Sequence, residues 1–137
     1  MKILFDINII LDLLLPRKPY LYNAVKLVSA VENSVIDGYL CATSVTTIQY
    51  LVQKTLGRSE SRRMDKKLLS IFTISQVNKI TLERALDSNL GDFEDAVMNE
   101  SAISSGLDGI VTRNLKDFKK SKLSIYGPDE LTAILNL

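Results

Sequence analysis

The chain has 137 residues, 46% of them apolar and 24% charged, which suits one soluble globular domain and argues against disorder. Its net charge of +1 neither selects nor excludes a nucleic-acid partner, and its one cysteine, Cys41, excludes an intramolecular disulfide. The absence of histidine excludes Ser-His-Asp catalysis, histidine–zinc sites and paired-histidine ribonuclease chemistry, so any reaction must rest on carboxylates, hydroxyls, amides, Lys, Arg or Tyr.

The apolar run Met1–Phe5 reads as a buried strand that ends at Asp6. It lacks a signal-peptide layout, and no later run reaches transmembrane length, so the expected location is the cytoplasm, away from membranes. Ile9, Ile10, Leu13 and Leu14 follow at helical spacing until Pro16 and Pro19 break the pattern. A second helix over Ala24–Val31 ends near Asn33, and Gly38–Ala42 is the second strand. Ser44 is the expected N-cap of a helix through Thr55, with Val45, Ile48, Leu51 and Val52 facing inward. Gly57–Ser61 reads as a polar loop. From Arg62 an amphipathic helix carries Met64, Leu68, Ile71 and Phe72 inside and Arg62, Arg63, Lys66 and Lys67 outside. Thr73–Val77 is a short strand, and Thr81 is the expected cap of a helix through Leu86. Asp92 starts a stronger helix, Phe93–Ser105, closed by Gly106. Gly109–Thr112 and Leu123–Tyr126 are strands, and Gly127-Pro128-Asp129-Glu130 opens the last helix. Strands alternating with helices predict an α/β fold, with a parallel sheet covered on both faces.

Acids fall where such a fold places sites, beyond the carboxyl ends of strands. Asp6 follows the first strand and Asp117 lies five residues past Thr112. Asp92 and Asp95 open one helix, three residues apart. Carboxylates brought together repel one another, and a divalent cation with a taste for hard oxygen ligands, Mg²⁺ or Mn²⁺, resolves the conflict. Such an ion lowers the pKa of water and stabilises charge on a phosphate under in-line attack. Each acid also has a plainer reading: Asp6 and Asp92 as helix caps, Glu94 as a partner of the helix dipole, Asp117 as a solvated loop acid, and Asp12 as a surface or capping residue. Arg113, Lys116, Lys119, Lys120 and Lys122 crowd around Asp117, where phosphate contacts are useful.

Three segments carry a family likeness. Phe5-Asp6-Ile7-Asn8 with Ile9-Ile10-Leu11-Asp12 resembles the opening motif of PIN-domain nucleases. Phe93-Glu94-Asp95-Ala96 resembles their central acidic helix start, and Ile110–Phe118 their late strand-and-loop motif. The resemblance spans essentially the whole chain. It implies a single PIN-like domain over residues 1–137, with a central parallel sheet of about four to five strands flanked by helices. It also implies a Mg²⁺- or Mn²⁺-dependent endoribonuclease of the VapC toxin type, neutralised by an antitoxin and commonly a homodimer. By match, Asp6, Asp95 and Asp117 are the catalytic metal-binding acids, with Asp92 as an extra ligand. Asn8, Thr112 and Asn114 shape the site, and Arg113 and Lys116 contact the nucleic acid.

One departure stands out. The family's glutamate early in the helix after the second strand has no counterpart in Ser44-Val45-Thr46-Thr47-Ile48-Gln49, where Thr47 holds the nearest position. A lost anionic ligand weakens metal affinity, so the alternative is a catalytically degenerate PIN-like module that binds RNA or protein. A third reading, a phosphatase resembling the haloacid dehalogenase family with Asp6 as nucleophile, is opposed by Asn8, which stands where that family has its acid-catalyst aspartate. It is also opposed by the polar stretch before Gly91-Asp92.

Overall fold

The first strand explains the layering. In β1 (Lys2–Phe5) Ile3 and Phe5 point to one side of the sheet and Leu4 to the other, and all three are fully buried. A strand that is apolar on both faces needs cover on both, which is the signature of a parallel sheet inside an α/β sandwich. The computed structural model, which describes residues 1–137, has that arrangement. Five parallel strands lie in the order β3-β2-β1-β4-β5. The others are β2 (Asp37–Cys41), β3 (Thr73–Ser75), β4 (Gly109–Val111) and β5 (Ser124–Tyr126).

On the Ile3 and Phe5 side lie α1 (Ile7–Leu14), α2 (Leu21–Glu32), α3 (Ala42–Leu56), α4 (Arg58–Ile71) and α7 (Pro128–Ile134). Leu27, Ile48, Val52, Leu68 and Leu131 from these helices join one buried cluster, in which Phe5 meets Phe72 edge-to-face at 5.1 Å. On the Leu4 side, α5 (Lys79–Leu86) and α6 (Phe93–Ser104) contribute Ala85, Ala96, Val97, Met98 and Ala102 to a second cluster. A 3-10 turn, Leu115–Phe118, drives Phe118 into it. The β4–β5 pairing requires glycine at position 109, because a Cβ there would stand 2.6 Å from the Ser124 carbonyl oxygen.

The chain winds from β1 outward to β2 and β3, then returns to place β4 on the other flank of β1. The reversal opens a crevice beyond the carboxyl ends of β1 and β4, where ligands of open α/β sheets bind. The Asp6 N–H bonds the Val111 carbonyl at 3.0 Å, so both strand ends are tied together at that crevice.

Four local expectations are corrected. Ser44 does not cap α3, which begins at Ala42 with Cys41 before it; Ser44 is buried inside the helix and donates to Sδ of Met98 at 3.3 Å. Asn78, not Thr81, caps α5, and Thr81 closes a reciprocal capping box with it. Gly57–Ser61 is not a loop: only Gly57, at φ +85°, interrupts two helices, and α4 starts at the next residue. Along the expected inner face of α3, Ile48 and Val52 are buried, whereas Leu51 is exposed.

Candidate active site

Asp6 is the anchor. It caps α1 through Oδ1, which accepts from the Ile7 N–H at 2.7 Å, and it is 5% exposed. Its Oδ2 accepts from the Thr112 hydroxyl at 2.6 Å and from the Asn8 side-chain amide at 3.2 Å. The cap expected of Asp6 is present and uses Oδ1 alone, which leaves Oδ2 to Thr112 and Asn8. Thr112 is fully buried past the end of β4, and its Oγ1 also accepts from the Asn114 N–H at 2.9 Å. Of the four residues expected to shape the site, Asn8 and Thr112 bond Asp6 directly, Asn114 bonds Thr112, and Thr47 makes no bond to this group. Desolvation nonetheless raises the Asp6 pKa; the bonds from Thr112 and Ile7 oppose it, nearby Asp117 adds to it and Arg113 opposes it.

The remaining acids close in from two other segments. Asp92 caps α6 by accepting from the Asp95 N–H at 2.9 Å, and Asp117 sits exposed in the 3-10 turn. One cleft of about 370 Å³ is lined by Asp6, Asp92, Glu94, Asp95 and Asp117, together with Asn8, Thr47, Asn114 and Arg17. The sheet order therefore gathers every acid expected from the sequence. Desolvation raises the Asp95 pKa to about 7, reinforced by the charges of Asp92, Asp6, Asp117 and Glu94. Glu94 is raised too, by desolvation and then by Asp92 and Asp6, so it belongs to this electrostatic unit as well as to the helix dipole. As the side chains lie, no three of these acids stand close enough together to grip an ion. Their donor set still fits one: hard oxygens throughout, with excess negative charge.

Thr47, the residue matched by sequence to the family glutamate, lines the cleft. Its hydroxyl makes only a long 3.4 Å bond to the Thr43 carbonyl, so it brings an oxygen without a charge.

The cations divide. Lys116 lines a depression that shares Asp92 and Asp117 with the cleft and also holds Lys119 and Lys120. Arg113 does not join them. Its Nε and Nη2 donate to Asp12 at 2.7 and 3.1 Å, and its guanidinium lies 3.8 Å from the centre of the Tyr20 ring. Its side chain is thus held by a carboxylate and a ring, and it does not line the lysine depression. Asp12 is corrected with it: the carboxylate is 1% exposed and anchors a buried ion pair rather than a surface cap. Arg62, Arg63, Lys66 and Lys67 lie on α4, with Arg63 paired to Glu60. Arg17 is the site residue that the sequence did not reveal, since a single Arg beside Pro16 carries no motif.

A family model for the PIN domain matches residues 2–116. No curated protein sequence matches the chain. Among solved structures, FitAcB from Neisseria gonorrhoeae superposes with a TM-score of 0.70 at 18% identity, covering 92% of this chain and 97% of that one. A toxin–antitoxin complex from Klebsiella pneumoniae gives 0.69 at 23% identity, with 91% and 96% covered. VapBC2 from Rickettsia felis, bound to a DNA fragment of its promoter, gives 0.68 at 18% identity, with 93% and 98% covered. Identities this low establish a shared fold.

Proposed function

The chain belongs to the PIN-domain family, and from that membership we propose that it is a metal-dependent endoribonuclease, the toxin of a toxin–antitoxin pair. The observation that carries this reading is the convergence of acids from three separate segments on one cleft, with Asp95 held near neutral pKa by burial and by its neighbours.

Asp6, Asp95 and Asp117 would hold Mg²⁺ or Mn²⁺, with Asp92 and Glu94 in reach to replace the missing family glutamate. The ion supplies Lewis acidity toward water and the phosphate oxygens, and neutralises the carboxylates. The protein's own residues do the rest. Thr112 and Asn8 occupy Oδ2 of Asp6 and Ile7 one side of Oδ1, so the carboxylate is fixed with one lone pair, on Oδ1, left for a ligand. Asn114 is tied to the Thr112 hydroxyl and sets the start of the turn that presents Asp117. Lys116, Lys119 and Lys120 neutralise backbone phosphates beside the cleft.

An antitoxin partner is supported by the three complexes that share the fold. A groove of about 420 Å³ between α1, α2 and α4, lined by Leu13, Val25, Val28, Met64, Leu68 and Ile71, suits an apolar helix of such a partner. Glu32, Arg63 and Lys67 on its walls would set the partner's register. No helix of the chain is long and apolar enough to cross a membrane.

The test is cleavage of a fluorogenic RNA in Mg²⁺ or Mn²⁺ against EDTA, with a chromogenic phosphomonoester alongside. Metal-dependent RNA cleavage and no phosphomonoesterase activity support the proposal. The second reading, a binding-only PIN domain, is favoured by the uncharged Thr47. RNA retention without cleavage in any metal would select it.

A further inference from the structure

Arg17 is the one cation on the wall of the carboxylate cleft. Its backbone is pinned between two helices: its N–H bonds the Asp12 carbonyl at 3.0 Å, and its carbonyl accepts from the Leu21 N–H at 2.8 Å. The side chain therefore leaves the chain from a fixed point. Its Nε lies 3.7 Å from Oδ1 of Asp12, near enough for attraction and too far for a hydrogen bond. Asp12 already accepts two bonds from Arg113, which neutralises it. Asp12, Arg113 and Arg17 together thus carry one surplus positive charge, and it resides on Arg17.

That charge does not serve the acids. None of the cleft carboxylates lies within ion-pair distance of Arg17, whose only such partner is Asp12. Its side chain is 39% exposed, with its fork of donors free. A phosphodiester entering an anionic cleft needs a cation on the side away from the carboxylates, and a guanidinium offers two parallel donors to phosphate oxygens. Lys116 lies outside this cleft, in the adjoining depression that shares Asp92 and Asp117 with it.

Building on the nuclease reading, we propose that Arg17 binds a non-bridging oxygen of the scissile phosphodiester and holds it against the acids.

Arg17→Ala and Arg17→Lys would be compared in single-turnover RNA cleavage, Mn²⁺ calorimetry and thermal melting. RNA binding would be followed by anisotropy in an Asp6→Asn background. Because Arg113 still satisfies Asp12, both variants should melt as wild type does and bind Mn²⁺ equally well. Cleavage should fall about 100-fold in Arg17→Ala and less in Arg17→Lys. Cleavage within about twofold of wild type would overturn the assignment. So would a parallel loss of Mn²⁺ affinity, which would make Arg17 a support of the acids. If wild type cleaves no RNA, the nuclease reading fails separately, and anisotropy then judges Arg17. Weakening of about tenfold would support phosphate contact, and unchanged binding would overturn it.

Discussion

Replacing Asp95 by asparagine should stabilise the metal-free protein at alkaline pH, although it removes a functional group. Moving an aspartate from 3.8 to about 7 corresponds to about 4 kcal/mol of penalty on the charged form. Asp95 is only half-buried, and solvent screening reduces this to about 1–2 kcal/mol. The sign follows from proton linkage: between pH 4 and 7 the native state binds more protons than the unfolded chain, so stability falls as pH rises through that window. Raised pKa values at Asp6 and Glu94 act in the same direction. Losing an acid from the first turn of α6 costs about 0.5 kcal/mol of dipole interaction, which is smaller than the relief. Urea unfolding in EDTA at pH 5 and pH 8 checks this. The variant should match wild type at pH 5 and exceed it by about 1 kcal/mol at pH 8, with saturating Mn²⁺ reversing the order. A variant less stable than wild type at both pH values, or a wild type more stable at pH 8 than at pH 5, would refute the repulsion argument.

Asp12→Ala leaves the Arg113 guanidinium without its buried partner and should cost about 3–5 kcal/mol, read as a large fall in Tm. Thr112→Val removes the shortest bond to Asp6 and should cost about 1–3 kcal/mol while raising the Asp6 pKa further, visible in a carboxyl NMR titration. Thr47→Glu should restore the absent charge and tighten Mn²⁺ binding about tenfold by calorimetry; unchanged affinity would mean that Thr47 does not face the ion. Lys116→Ala should weaken RNA binding and, with one phosphate fewer neutralised, lower the salt slope by about 1, measured by anisotropy across a salt series.

The sheet and the position of Asp6 were legible in the sequence for one physical reason. A parallel strand buried on both faces reads as an unbroken apolar run, and the first polar residue after it marks the crevice; Asp6 and Thr112 both sit at such a step. Asp92 was legible because caps depend on local spacing. Ser44 and Thr81 misled for the same reason, since each has cap chemistry while tertiary contact or a neighbouring Asn decides the helix start. Gly57, Arg58 and Ser59 are exposed and the buried Ser61 hydroxyl is bonded to Gln49 and the Arg58 carbonyl, so a polar stretch masked the helix start. Arg113 and Asp12 are 101 residues apart in sequence, and no local pattern reveals that they neutralise each other. Arg17 was hidden likewise, because its surplus charge exists only once that pair has formed.

Calorimetric titration of Mn²⁺ into wild type and into Asp6→Asn/Asp95→Asn, with RNA cleavage measured on the same samples, tests the aspartate-cluster nuclease most directly. Wild type is expected to bind the ion and to cleave only in its presence, and the double variant, still folded, to lose both. A folded wild type that neither binds Mn²⁺ nor cleaves RNA would contradict the metal-dependent nuclease and leave a PIN domain that works by binding alone.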